Sequence, residues 1–182
     1  MKVDLTQHLL TGVSHIPSPN YDRRPPQVEI ELIVIHGISL PSGLYGGHEI
    51  EQLFTNRLTV QQCADLELGK DLRVSAHLLI RRNGEIIQFV PFNRRAWHAG
   101  ESNYKGRRNC NDYSIGIEVE GCDTQPYEKQ QYESLRSVIS ALVVAYPKLD
   151  SECISYHSDI APGRKTDPGP SFDRDFMQGT KL

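Results

Sequence analysis

The sequence predicts a single α/β domain, a central mixed β-sheet flanked by helices. Three observations carry that expectation. Leu32-Ile33-Val34-Ile35 is a near-continuous apolar run, as a central strand buried on both faces requires. Tyr132, Leu135, Val138, Ile139, Leu142, Val143 and Tyr146 recur at helical spacing up to Pro147, a stripe suited to packing on a sheet. Strand patterns both precede and follow that helix, an order that implies one α/β unit. At 182 residues the chain is long enough to bury its own core, so 1–182 reads as one domain.

The elements follow in order. Residues 1–26 hold Pro17, Pro19, Pro25 and Pro26 and read as an extended N-terminal arm. Glu29 to His36 is the first long strand. The Leu40–Gly47 segment is a loop, and a helix runs from His48 to about Asn56 with Ile50, Leu53 and Phe54 on one side. Val74–Ile80 and Ile86–Val90 are two strands joined at Asn83-Gly84, a strong hairpin signal. Tyr113–Val119 alternates Ile115, Ile117 and Val119 against Ser114, Gly116 and Glu118, a strand with one buried face. Pro126 suits the first turn of the long helix. Cys153–Tyr156 is a short strand delivering His157 into a Pro/Gly-rich loop.

Composition narrows the function classes. A net charge of −3, with no basic run, argues against nucleic acid or a membrane surface as partner. Met1–Leu10 has no long apolar stretch and does not read as a secretory signal. Cys63, Cys110, Cys122 and Cys153 lack CxxC spacing and read as free thiols, so the expected compartment is the cytoplasm.

The chemistry concentrates in two segments. His36 ends the apolar strand, and strand ends display site residues on a rigid base. His157 and Asp167 lie in a loop restricted by Pro162, Gly163 and Pro168, with Lys165 between them. Two imidazoles and one carboxylate form a typical three-ligand set for catalytic zinc, with a fourth position left for water. Each residue also has a plainer reading: His36 as a hydrogen-bonded histidine at the core edge, Lys165–Asp167 as a surface ion pair. Spacing alone leaves a second ligand set open, drawn from His48, His77 and His98. Glu118 and Glu120 share a strand face and either suits the general base, while Lys165 suits an oxyanion. Trp97 offers a flat apolar surface with one donor, and Arg73, Arg107 and Arg108 are candidates for bidentate contacts with substrate carboxylates.

Four segments carry a resemblance: Arg73-Val74-Ser75-Ala76-His77; Arg94-Arg95-Ala96-Trp97-His98-Ala99-Gly100; Cys110-Asn111-Asp112 with Ser114-Ile115-Gly116-Ile117-Glu118; and Arg164-Lys165-Thr166-Asp167-Pro168-Gly169-Pro170. With them the chain, from about Pro17 to Phe172, resembles the type 2 N-acetylmuramoyl-L-alanine amidases, a family that includes the peptidoglycan recognition proteins. Within it, the chain specifically resembles the AmpD-type enzymes of cytoplasmic peptidoglycan recycling. The resemblance implies zinc held by His36, His157 and Asp167, Glu118 rather than Glu120 as the catalytic carboxylate, and Lys165 as oxyanion stabiliser. It implies substrate contacts near Gly37, Arg73, Trp97, Arg108 and Asn109. Two positions depart from the pattern. Gly37 stands where the family usually has asparagine, which removes a side-chain hydrogen bond and is expected to widen the pocket. Asn109 stands where an arginine precedes the cysteine, which weakens the case for carboxylate binding there.

The expectation is a zinc amidase that cleaves the amide between the lactyl group of 1,6-anhydro-N-acetylmuramic acid and L-alanine of the stem peptide. Its partner would be a small muropeptide, with no nucleic-acid, membrane or obligate protein partner. The alternatives are an amidase of non-anhydro muropeptides or wall polymer, and a muropeptide-binding sensor without turnover. The complete ligand set argues against the sensor.

Overall fold

A computed structural model describes residues 1–69, 71–150 and 152–175. The arm forms β1 (Val3–Asp4), β2 (Leu9–Leu10), β3 (Ser14–His15) and β4 (Tyr21–Arg23). Then come β5 (Leu32–Ile38), α1 (Glu49–Phe54), α2 (Val60–Asp65), and the hairpin strands β6 (Leu78–Ile80) and β7 (Ile86–Gln88). Three short strands follow: β8 (Arg94–Ala96), β9 (Asn103–Tyr104) and β10 (Arg107–Arg108). A 3₁₀ turn at Cys110–Asp112 leads into β11 (Ser114–Glu120), then α3 (Lys129–Ala145), β12 (Ile154–Tyr156) and α4 (His157–Ile160).

The principal sheet has the order β12-β5-β11-β6-β7-β3. β12, β5, β11 and β6 run parallel, β6 and β7 pair antiparallel, and β3 lies parallel to β7, so the sheet is mixed as expected. The parallel strands dictate the layering. Leu32 to Ile35 are fully buried because both faces of β5 are covered. Ile33, Ile35, Ile115, Ile117 and Val119 face α3 and pack on Leu135, Val138, Ile139 and Leu142. Leu32 and Val34 face the other way, toward Ala99, Cys110 and Ile160.

Several details differ from the sequence expectation. All seven residues of β11 are buried, so it has two covered faces rather than one. Pro126 precedes α3 rather than occupying its first turn; Glu128 N–H donates to Gln131 Oε1 at 2.9 Å at the helix start. His157 opens the one-turn helix α4 instead of entering a loop directly. Helix α2 was not expected, since none of its residues is buried and it shows no apolar stripe; its only local signal is the Thr59–Gln62 capping box. The arm is pinned down. Leu10 is buried, and the Arg24 guanidinium donates to the carbonyls of Phe92, Asn111, Asp112 and Ser114. Among the described residues no helix is long and apolar enough to cross a membrane.

The α3 stripe should dominate stability on its side of the sheet. Leu135 is wholly buried there, and Leu135→Ala is expected to cost about 2–5 kcal/mol through lost burial plus a cavity. Urea unfolding of the variant and the parent checks this.

Candidate metal centre

Strand register assembles the site. β5 lies between β12 and β11, with Ile35 opposite Tyr156 and His36 opposite Glu118. One residue beyond Tyr156 the chain reaches His157, so both histidines and Glu118 emerge at the same carboxyl edge of three parallel strands. Ser158 N–H then donates to the Asp167 carbonyl at 2.9 Å, which folds the loop back over that edge.

The donor atoms converge closely. His36 Nδ1 is 2.8 Å from His157 Nδ1, and Asp167 Oδ2 lies 3.4 Å from the first and 3.0 Å from the second. Donors about 2.0–2.2 Å from a tetrahedral ion are separated by about 3.3–3.6 Å, so this triangle is slightly contracted but of the right size for a zinc-like cation. Among the described residues it is the one grouping of three such side chains whose donor atoms come within mutual reach.

The outer contacts fix the tautomers. The Cys110 carbonyl can only accept, so Ser114 Oγ donates to it at 2.6 Å. Ser114 Oγ therefore accepts from His98 Nε2 at 3.2 Å, and His98 Nδ1 in turn accepts from His36 Nε2 at 2.9 Å. His157 Nε2 donates to the Ala99 carbonyl at 3.2 Å. Both Nδ1 lone pairs are thus directed at the common centre, the arrangement a metal-binding imidazole needs. Burial pushes His36 down to about 4, which favours the neutral ring.

The competing histidine set does not assemble. His48 is exposed and pairs with Glu51. His77 is fully buried: its Nδ1 accepts from Gly116 N–H at 3.0 Å and its Nε2 donates to the Arg94 carbonyl at 3.0 Å. His98 stands behind His36, in space that exists because residue 116 is glycine; a Cβ there would overlap the His98 ring. That supporting role was not foreseen, although a glycine inside a strand is a signal of close approach.

The two strand acids have separate fates. Glu120 accepts from Arg81 at 2.8 Å, Gly46 N–H at 2.8 Å and Arg82 N–H at 3.0 Å, a fully engaged structural carboxylate. Glu118 is buried, with Oε1 4.0 Å from His36 Nδ1 and Oε2 enclosed without a hydrogen-bond partner. Burial, and then the Asp167 charge, push its carboxyl well above the usual range, with Lys165 opposing. Lys165 is exposed, and its charge acts on both His36 and Glu118. Among the described residues the Asp167 carboxylate lies against the two histidines and forms no ion pair with Lys165.

Of the residues expected to meet substrate, Gly37 lines a groove of ≈ 370 Å³ that reaches Asp167 and includes Ser39, Cys122, Thr124 and Thr166. The glycine does not widen it on the expected side, because the Tyr127 hydroxyl occupies the position a Cβ would take. Arg108 and Asn109 line a second groove of ≈ 430 Å³ with Ser102, Pro162 and Arg164. Arg107 turns away to Glu31 at 2.7 Å and stacks on Tyr113. Trp97 is half-buried, its backbone paired with Ser75 and its Nε1 enclosed without a partner. Arg73, two residues before Ser75, is exposed and donates to the Leu72 carbonyl.

Comparison with known proteins agrees with this arrangement. The family model described as N-acetylmuramoyl-L-alanine amidase matches residues 26–170. The 1,6-anhydro-N-acetylmuramyl-L-alanine amidase AmpD of Escherichia coli is 52% identical over 169 residues, covering 93% of this chain and 92% of that protein. The crystal structure of a selenomethionine AmpD derivative superposes with a TM-score of 0.90 at 48% identity, covering 98% of both chains. The E. coli amidase AmiD, solved with anhydro-N-acetylmuramic acid-L-Ala-D-γ-Glu-L-Lys, matches with a TM-score of 0.61 at 30% identity, over 86% of this chain and 60% of that one.

The buried His77 makes stability depend on pH. Burial, reinforced by the Arg24 guanidinium, pushes it down to about 3 in the folded state, against about 6.5 in an unfolded chain. Above pH 6.5 neither state takes the proton and the residue has no effect. Below it only the unfolded chain does, so stability falls as pH drops from about 6.5 toward 3, by about 1.4 kcal/mol per unit. Denaturant unfolding of the metal-free protein across this range should show the slope, and His77→Gln should flatten it by about that amount.

Proposed function

The chain belongs to the N-acetylmuramoyl-L-alanine amidase family, and from that premise we propose that it is a zinc-dependent amidase of cytoplasmic peptidoglycan recycling. The bond cleaved is the amide joining the lactyl group of 1,6-anhydro-N-acetylmuramic acid to L-alanine of the stem peptide. The observation that carries this reading is the meeting of His36, His157 and Asp167 beside the unpartnered oxygen of Glu118. The 52% identity to AmpD over 93% of the chain supports the anhydromuropeptide as substrate. The donor set, two imidazoles and one carboxylate in a triangle slightly contracted from tetrahedral spacing, suits zinc.

Zinc, when bound, supplies a Lewis acid that polarises the scissile carbonyl and makes water more acidic. Glu118 accepts a proton from the attacking water as its oxygen bonds to the carbonyl carbon. The raised carboxyl affinity for a proton suits that task, since the same group must then hold the proton and pass it to the departing nitrogen. The C–N bond breaks as that nitrogen is protonated, which releases the stem peptide as a free amine. Lys165, from the exposed side, meets the negative charge that develops on the carbonyl oxygen. The groove at Gly37 and the groove at Arg108 and Asn109 are the candidate seats for sugar and peptide.

Incubation of the zinc-loaded protein with an anhydromuropeptide should give 1,6-anhydro-N-acetylmuramic acid and free stem peptide by mass spectrometry. Asp167→Ala should lose most of its zinc and its turnover together. Binding of the muropeptide without turnover would instead mark a sensor.

Glu118→Gln is expected to keep zinc and fold while kcat falls by about 10²-fold or more, and Lys165→Met to lose about 10²–10³-fold. Glu120→Gln should chiefly lower thermal stability, through Arg81. Equal kinetic losses in the two glutamate variants, or the reverse order, would defeat the assignment.

A further inference from the structure

The ligand loop is held from behind by a residue outside the metal centre. Tyr127, buried ahead of α3, donates its hydroxyl to the Pro168 carbonyl at 2.9 Å. Pro168 immediately follows Asp167, so the bond holds the residue next to the carboxylate ligand. Burial, then the charges of Glu118 and Asp167, keep the phenol protonated and therefore a donor. Its ring stacks edge-on with Phe172 at 5.0 Å, and Ser171 Oγ donates to the Asp123 carbonyl at 2.7 Å, so the loop is tied down beyond Pro168 as well.

Two glycines make the room. Gly37, next to His36, and Gly121, just past β11, both face Tyr127. A Cβ at Gly37 would overlap the phenolic oxygen and come within 3.0 Å of Pro168 Cα, and one at Gly121 would overlap the ring. Gly37 N–H also faces Asp167 Oδ2 at 3.4 Å. The first histidine's neighbour, the tyrosine and the carboxylate loop therefore form one packed unit.

We propose that Tyr127 is a positioning residue for Asp167, acting through the Pro168 carbonyl, and that Gly37 is glycine in this chain to admit the Tyr127 hydroxyl. The inference rests on the reading of His36, His157 and Asp167 as metal ligands. Outer contacts of this kind set metal affinity by about 10–100-fold. Tyr127→Phe keeps the ring and removes only the donor.

The test is zinc affinity, measured by competition with a chromophoric chelator, alongside urea unfolding of the metal-free protein. Tyr127→Phe should weaken zinc binding by about 10–100-fold. Gly37→Ala should weaken it in the parent and cost less in the Tyr127→Phe background, where the overlapping oxygen is gone and only the 3.0 Å approach to Pro168 Cα remains. A Tyr127→Phe variant that unfolds more easily yet binds zinc as the parent does would make the tyrosine merely structural and overturn the inference. Strictly additive effects of the two substitutions would overturn the part assigned to Gly37. A parent chain that binds no zinc would bring down the functional reading, and this inference with it.

Discussion

Three polar side chains brought within about 3 Å at the covered edge of a parallel sheet are costly to desolvate, and much of this structure offsets that cost. A buried donor or acceptor without a partner costs on the order of 1–3 kcal/mol, so each ligand's outer atom needs a specified neighbour. His36 finds His98, which needs Ser114, which needs the Cys110 carbonyl. His157 finds the Ala99 carbonyl. The identity of Gly116, the 3₁₀ turn before β11 and the path of the chain through Ala99 all serve these partners. With the outer atoms satisfied, the inner lone pairs and the Glu118 oxygen are what remain without partners of their own outside the centre.

The contrast between Glu118 and Glu120 shows how local this arrangement is. The residues are two apart on one strand and one face, and both are buried. Arg81 and two backbone N–H groups neutralise Glu120 and make it part of the scaffold. Glu118 sits one register step nearer the histidines and has no such cation in hydrogen-bond contact. Burial, and then like charge from Asp167, raise its proton affinity instead. Neighbourhood, not residue type, separates a carboxylate left without a partner from a brace.

Much of the fold was legible because the strands and α3 bury long, regular patterns. The Leu32–Ile35 run, the Asn83-Gly84 hairpin and the Tyr132–Tyr146 stripe each correspond to an observed element. Helix α2 and strands β8 to β10 were not legible, since they are short, partly exposed and fixed by tertiary pairing. At the site, residue types and spacing offered His36, His157 and Asp167 but left His48, His77 and His98 open, and periodicity could not separate Glu118 from Glu120; the family resemblance alone chose among them. The distinction between the two glutamates depends on Arg81, nearly forty residues away in sequence. Nor could a single chain show that Gly37 faces a tyrosine ninety residues on. Contacts of that range leave no local signature.

The candidate ligands also lie far apart along the chain: His36 and His157 are separated by 121 residues. An ion joining them would act as a cross-link closing most of the domain into one loop. In a chain-entropy view, a closure of that length removes about 4–5 kcal/mol of unfolded-chain freedom, comparable to a large share of a typical domain's net stability. All four cysteines are free thiols, so no disulfide performs this service. Withdrawal of the ion would then loosen the β12 edge from β5 as well as silence the chemistry, and cellular metal supply would govern how long the protein persists in addition to how fast it works.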